Sequence, residues 1–426
     1  MARSVDVRTR GRGRADGFDP ARFWDGAWAD AVATNGVRAA ADAELLGLAP
    51  LTIRVDGEAR TLRAGPAGVG ASLGQQGDAL VVDLDRAAFA DLVSEERTAL
   101  GLVIGGRVAG EGAAHERFCA WDPVLRAVLD GRFLHRPGDI TLLDVDGTPL
   151  GLDQRFVLGE DSDAAAHFLA EAGFLLLQSV FTEAEMDAVD ADLAAAVEAA
   201  RPDDGASWWA TTGSGEQYPC RILDLLARSP GLRDLFADPR FLAIGGILDD
   251  GHRPGDPFGE HFSEPTAEGL VKRVDSVEGL SCLPWHKDCE RGGHSLFCSG
   301  LTIGICLTPV DRAHGGLDVI AGSHRGHIAR RQIDRGVDLP VATLRAERGD
   351  VTVHLSCALH RSTHPESAER RVIYTGFALP PRPGDVGTGA DHSRLLRERA
   401  AIASRQDDAI MSLTPARSTR DTDGPR

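Results

Sequence analysis

The chain has 426 residues, 42% of them hydrophobic and 26% charged, with 49 glycines, an ordinary globular composition at a length that leads one to expect two domains. A formal charge of -18 excludes a broad nucleic-acid-binding face, because a phosphate-binding surface needs clustered Lys and Arg. No apolar run reaches the roughly 18 residues of a membrane span and no signal-like stretch opens the chain, so a cytoplasmic location without a membrane span is expected.

Residues 1–18, with a basic stretch from Arg3 to Arg14, are expected to be a flexible arm. A Trp-bearing helix is predicted around Phe23 to Ala33, and then a strand from Leu51 to Val55 entering a tight turn at Asp56-Gly57. A strand over Ala79 to Leu84, a helix with Phe89, Leu92 and Val93 on one face, and a strand near Leu100 to Ile104 follow. Asp122-Pro123 reads as the start of a further helix whose apolar stripe is Val124, Leu125, Val128 and Leu129, closed by Gly131. This order, above all Ala79 to Gly131, resembles sterol-carrier-protein-2-like domains, which enclose a lipid or acyl ligand.

Hairpin signals at Pro137-Gly138-Asp139 and Asp146-Gly147 lead to a boundary near residue 160, so residues 19–160 are taken as an α+β accessory domain. A second domain is expected over residues 161–411. It begins with a buried strand from Gly173 to Phe181 and a helix with Thr182 and Glu185 as its capping box. Pro202 to Gly215, with Trp208 and Trp209, reads as a polar loop, and Ile222 to Leu248 as helix broken by Pro230 and Pro239. Short apolar runs at Leu301–Val310, Leu317–Ala321, Val351–Leu355 and Val372–Leu379, divided by Gly, Pro and His, are β-sandwich or barrel punctuation. Residues 412–426 are expected to be a flexible tail.

Seven cysteines (Cys119, Cys220, Cys282, Cys289, Cys298, Cys306, Cys357), odd in number and without a C-x-x-C pair, form neither a disulfide framework nor a structural zinc signature. The chemistry instead points to Trp285-His286-Lys287-Asp288. Along an extended strand His286 and Asp288 share one face while Lys287 points away, and a second imidazole from a remote strand would complete the two-histidine, one-carboxylate triad of non-haem iron oxygenases. From the residues alone His354, His360 and His364 all compete for that third place. A lone H-x-D is a weak signal, but it is the only one here, and it precedes Gly315-Gly316-Leu317, Gly322-Ser323-His324, Gly349-Asp350-Val351, His360-x-Ser362 and Arg371-Val372-Ile373.

These segments, in this order, resemble the phytanoyl-CoA dioxygenase family over about Ala166 to Leu379. Ala321 stands where the family usually has Pro, and Arg361 where it usually has Gly. The resemblance implies a double-stranded β-helix (jelly roll) with flanking helices, giving an α+β chain overall. It implies His286, Asp288 and His360 as ligands of Fe(II), with 2-oxoglutarate and O2 as cosubstrates. Arg371 is implied as the group binding the distal carboxylate of 2-oxoglutarate, with Ser362 donating a further hydrogen bond to it. Arg370 is the alternative, because strand alternation lets only one of the pair face inward. The implied reaction is hydroxylation of a small molecule, with lipids, acyl-CoAs and secondary metabolites as open substrate classes. Asp288 disfavours halogenation, since related halogenases carry a small residue there. A non-catalytic lipid or acyl carrier and a cupin-like metalloenzyme without 2-oxoglutarate are the rival readings. His354 reads as a hydrogen-bonded core residue, Lys272 as an exposed lysine, Trp285 as a core tryptophan, and His294, His314, His324 and His327 as structural or loop residues.

Overall fold

The computed structural model describes residues 17–95, 97–110, 112–255, 265–279, 282–291 and 300–379. Most of the expected N-terminal arm, the expected tail, His294 and Cys298 lie outside the described residues.

The N-terminal unit runs α1 (Pro20–Asp25), α2 (Ala27–Leu46), β1 (Leu51–Val55), β2 (Glu58–Gly65), β3 (Gly68–Leu73), β4 (Leu80–Leu84), α3 (Arg86–Val93), α4 (Ala99–Ile104), β5 (Val108–Ala109) and α5 (Gly112–Asp130). Asp56 and Gly57 both take positive φ, 50° and 87°, which is the backbone of a two-residue hairpin turn, and Val55 pairs opposite Glu58 as a result. The sheet order is β3-β2-β1-β4-β5, with β1 and β4 parallel and the other pairs antiparallel. Its core gathers Trp24, Trp28, Phe89, Phe118 and Trp121.

Two expectations are corrected here. Leu100 to Ile104 lies in a helix rather than a strand: the Thr98 hydroxyl accepts from Gly101 N at 2.9 Å and the Asp122 carboxylate from Ala99 N at 3.0 Å, so two otherwise unpaired amides of its first turn are satisfied. Asp122-Pro123 does not open a helix, because α5 already began at Gly112 and carries Pro123 inside it.

Between the two units the chain has little regular structure, and the packing changes hands along it. Leu134 belongs to the first core, while Leu150 and Phe156 belong to the second. That second unit comprises α6 (Ser162–Ala172), β6 (Phe174–Leu177), α7 (Glu183–Ala199), β7 (Ser207–Thr212), β8 (Gln217–Ile222), α8 (Leu225–Arg228), α9 (Pro230–Ala237), α10 (Pro239–Gly245) and β9 (Arg253–Pro254). It continues with β10 (Glu268–Lys272), β11 (Ser276–Glu278), β12 (Leu283–His286), β13 (Gly300–Cys306), β14 (Leu317–Ile320), α11 (Arg330–Ile333), β15 (Val341–Leu344), β16 (Val351–Leu355), β17 (His360–Ser362) and β18 (Arg370–Ala378). The capping box of α7 is present, with Thr182 and Glu185 bonded reciprocally. The supposed polar loop around Trp208 and Trp209 is instead the β7–β8 hairpin, because burying Trp208 on the sheet outweighs the polar residues around it.

The major sheet follows β11-β7-β8-β10-β18-β13-β16-β6 and the minor sheet β12-β17-β14-β15, the two-sheet arrangement of a jelly roll. Register defines the inner face of the major sheet. Lys272 pairs with Arg370, Cys306 with Val372, Gly304 with Tyr374 and Thr302 with His354, so these side chains look toward the minor sheet. Arg371 and Ile373 point the other way, toward α7.

The two units touch through several contacts. His135 Nε2 is 2.6 Å from Asp338, Gln332 Nε2 donates to the His135 carbonyl at 3.0 Å, and Arg331 donates to the Leu46 carbonyl at 3.1 Å. Helix α4 packs against the short 3-10 turn Asp288–Arg291.

Candidate active site

His286 ends β12 and His360 begins β17, and the two are register partners on neighbouring antiparallel strands. Their rings lie 4.2 Å apart. Asp288 is not on the extended strand that alternation assumed; it starts the 3-10 turn, with its N–H donated to the Ser356 carbonyl at 3.0 Å. The turn still delivers the carboxylate to the same point. One donor atom from each of His286, Asp288 and His360 lies within 4.8 Å of the others.

Each imidazole is oriented by its other nitrogen. His286 Nδ1 is 2.7 Å from the Pro284 carbonyl and His360 Nδ1 is 3.0 Å from the Ala358 carbonyl. A carbonyl only accepts, so Nδ1 carries the proton on both rings and the Nε2 lone pairs turn inward. Those atoms are 3.5 and 3.6 Å from Asp288 Oδ1. Adjacent ligands about 2.1 Å from a shared ion would be about 3 Å apart, so both nitrogens stand within an ångström of that spacing from the carboxylate.

The other carboxylate oxygen is held from the major sheet. Thr302 Oγ1 donates to Asp288 Oδ2 at 3.0 Å, and His354 Nε2 is 3.3 Å from the same atom. His354 is thus a hydrogen-bonded interior residue that orients Asp288. Burial raises the Asp288 pKa, but the neighbouring His360, His286 and His354 outweigh it and hold the carboxyl well below its usual range. Burial, followed by the nearby His286, keeps His360 well below the usual imidazole value. An ionised carboxylate beside a neutral imidazole is the protonation state that a divalent cation requires, so the residues fit a metal of the type favoured by two nitrogens and one oxygen.

Further along the same inner face lies a second cluster. Arg370 is fully buried; it donates to the Gly315 carbonyl and to the Tyr374 hydroxyl, both at 3.0 Å, while its Nε has no partner among the described residues. Lys272 is also fully buried and donates to the Ser362 hydroxyl and, at 2.7 Å, to the Thr363 carbonyl. Ser362 stands two residues beyond His360, about 6.5 Å along the strand. Among the described residues no carboxylate pairs with Arg370 or Lys272.

The arginine expectation is therefore corrected. Arg371 lies on the outer face, with Nη1 3.1 Å from Asp190 on α7 and Nε 2.7 Å from Glu369. A residue count from His360 could not fix which arginine faces inward, because the turn before β18 sets the parity. There the N–H groups of Glu366, Ser367 and Ala368 all converge on the Ala313 carbonyl. Lys272, expected to be exposed, went unrecognised because a lysine at the end of Gly269-Leu270-Val271 carries no signal of burial in the sequence.

The remaining motif residues build the site rather than line it. Gly315 has φ +81°, and a Cβ there would fall 2.7 Å from the Thr363 carbonyl, so only glycine lets this loop approach β17 and offer its own carbonyl to Arg370. The Ser323 hydroxyl accepts the Leu359 N–H at 2.8 Å, next to His360, and His324 Nε2 bonds the Ala170 carbonyl. Asp350 accepts from Ser179 N at 2.7 Å and Glu347 N at 2.8 Å, a structural role for the Gly-Asp-Val strand. Arg361 points outward to Asp318 at 2.8 Å and over the Trp285 ring. His364-Pro365-Glu366 offers no paired ligands, since Glu366 pairs with Arg312 at the surface.

Two facing sheets with a His–Asp–His cluster define a jelly-roll domain. Residues 169–373 match the family model described as phytanoyl-CoA dioxygenase. Among solved structures the chain is similar to AviO1 from Streptomyces viridochromogenes Tue57, with 21% identity over 52% of this chain and 98% of that one and a TM-score of 0.40. It is similar to HygX from Streptomyces hygroscopicus, solved with nickel and 2-oxoglutarate bound, with 17% identity over 50% and 86% of the two chains and a TM-score of 0.37. For EctD from S. alaskensis with bound Fe the figures are 16% identity, 54% and 81%, and 0.42. No curated protein matches the chain.

Proposed function

We propose that the chain is an Fe(II)- and 2-oxoglutarate-dependent dioxygenase that hydroxylates a small molecule. His286, Asp288 and His360 hold the metal, and Arg370, Lys272 and Ser362 hold the distal carboxylate of 2-oxoglutarate. The observation that carries this reading is the pair of fully buried basic side chains beside the triad with no acidic partner among the described residues. Holding such groups charged away from water is costly unless an anion neutralises them, and a dicarboxylate reaching from the triad to Arg370 is such an anion. When bound, the metal with 2-oxoglutarate and dioxygen supplies an oxidative decarboxylation, to succinate and carbon dioxide, that is coupled to C–H oxidation.

The chain's own contribution is placement. Asp288 Oδ2 is fixed by Thr302 and His354, which leaves Oδ1 for the metal. Arg370 can offer a carboxylate its Nε as well as the edges of its fork, and Ser362, already accepting from Lys272, has its own proton to donate. With a carboxylate at position 288 the metal has no place left by a small residue for halide, so hydroxylation is favoured over halogenation.

The accessory unit, with its helix-first order and β3-β2-β1-β4-β5 sheet, supports the sterol-carrier-like reading and with it a lipid or acyl substrate. Anaerobic addition of Fe(II) and 2-oxoglutarate to the full chain should give the visible charge-transfer band of a bidentate complex, and succinate should then be released when acyl-CoAs or other metabolites are supplied in air. A protein that binds Fe(II) but shows neither band nor succinate would overturn the cosubstrate assignment and favour a metalloenzyme without 2-oxoglutarate.

A further inference from the structure

Cys289 directly follows Asp288, and Cys357 stands three residues before His360. The Ser356 carbonyl, adjacent to Cys357, accepts Asp288 N at 3.0 Å and Cys289 N at 3.4 Å, so the two cysteine-bearing segments are already bonded to each other. Their sulfurs are 3.8 Å apart, the two side chains form a small cluster apart from the main core, and only 2% and 3% of each residue is exposed. The proposed reaction uses neither thiol.

We propose that Cys289 and Cys357 are a redox modification site, a thiol pair that a small peroxide converts to an intrachain disulfide and that thereby loosens the metal site. One thiol attacks the peroxide oxygen, giving a sulfenic acid and releasing one water. The second thiol then displaces the hydroxyl from that sulfur, the S–S bond forms and a second water leaves. Two thiols lose two electrons and two protons, and one hydrogen peroxide is reduced to two waters. Burial favours this outcome over a mixed disulfide, because hydrogen peroxide is small while glutathione cannot reach either sulfur without opening the fold.

The consequence for the metal site follows from distance. A disulfide needs its sulfurs about 2.05 Å apart, so the present 3.8 Å must close by a little under 2 Å. Side-chain rotation takes up part of that movement and the 3-10 turn carrying Asp288 takes up the rest. Metal ligands tolerate about 0.5 Å of displacement, so closure draws Asp288 Oδ1 out of register with the two Nε2 atoms. This second part rests on the ligand assignment above, whereas formation of the disulfide does not.

The test uses the full chain without metal, reduced with a phosphine, desalted, titrated with hydrogen peroxide, alkylated and digested. Mass spectrometry should find a peptide cross-linked through Cys289 and Cys357 that disappears on re-reduction. Cobalt(II), which binds such sites without turning over, should show a dissociation constant raised at least tenfold in the oxidised protein and restored by reduction. Cys357→Ala should keep its cobalt affinity through the same treatment, and Cys289→Ser provides the same comparison if the first variant folds poorly. Alkylation of both cysteines after a peroxide dose that consumes the more exposed thiols would overturn the proposal. A cross-link with unchanged cobalt affinity would overturn its coupling to the metal site. Reduced protein that binds no cobalt would instead overturn the ligand set, with the cross-link still read on its own.

Discussion

Lys272 and Arg370 are register partners on adjacent antiparallel strands, and both side chains are fully buried on the face that also carries Thr302 and His354. Their neighbour Arg371 is on the opposite face against Asp190. Replacing Arg370 by Ala should therefore weaken 2-oxoglutarate binding about 30- to 160-fold, the roughly 2–3 kcal/mol of a charge-assisted hydrogen bond to a buried partner. Arg371→Ala should leave that affinity within twofold and cost stability alone, about 1 kcal/mol or less for a partly exposed ion pair. Calorimetric titration of both variants, with metal present and oxygen excluded, decides between them; the reverse ranking would restore Arg371 as the anchor.

Burial first, and then the adjacent Arg370, pulls the Lys272 pKa from its ordinary value down to about 7. At pH 8 the amine is then mostly neutral before the cosubstrate arrives. A carboxylate at hydrogen-bond distance favours the ammonium form and raises the pKa, so binding takes up close to one proton at pH 8 and almost none at pH 6. Affinity should accordingly fall as pH rises through about 7. Titrations in two buffers of different ionisation enthalpy measure the uptake directly. Lys272→Met should abolish it, and equal heats in both buffers for the unaltered protein would show that Lys272 does not meet the ligand's charge.

Thr302 and His354 reach Asp288 Oδ2 from the major sheet, whereas His286 and His360 come from the minor one. Losing either bond frees the carboxylate to rotate. Thr302→Val keeps the shape and removes the donor, so cobalt(II) affinity should drop about tenfold, at the lower end of what outer partners of metal ligands contribute. An unchanged dissociation constant would mean that the backbone alone holds Asp288.

How much of this was legible in the sequence divides along physical lines. The meeting of His286, Asp288 and His360 was readable because three residues with specific chemistry sit in recognisable local settings, and the capped helix α7 was readable because capping is local. Inward-facing Arg370 was not, since its parity depends on how tightly the Thr363–Glu369 turn folds back on Ala313. Lys272 was not, because nothing near it in the chain marks its burial. The short apolar run at Leu100–Ile104 fits a helix or a strand equally well, and Asp122, twenty-odd residues away, settles it by accepting the Ala99 N–H.

That same helix, α4, gives the accessory unit a stake in the His286–Asp288–His360 cluster, because it packs against the turn that begins with Asp288. Leu102 is 1% exposed within it. Leu102→Ala should cost about 2–4 kcal/mol of stability through the cavity it leaves. If α4 also braces the turn, cobalt(II) affinity measured well below the melting temperature should fall severalfold. A comparably destabilising change far from the turn, Leu62→Ala in β2, which is fully buried in the same core, should lower the melting temperature alike and leave cobalt affinity unchanged. Equal effects of the two substitutions on cobalt binding would show that α4 matters only through overall stability.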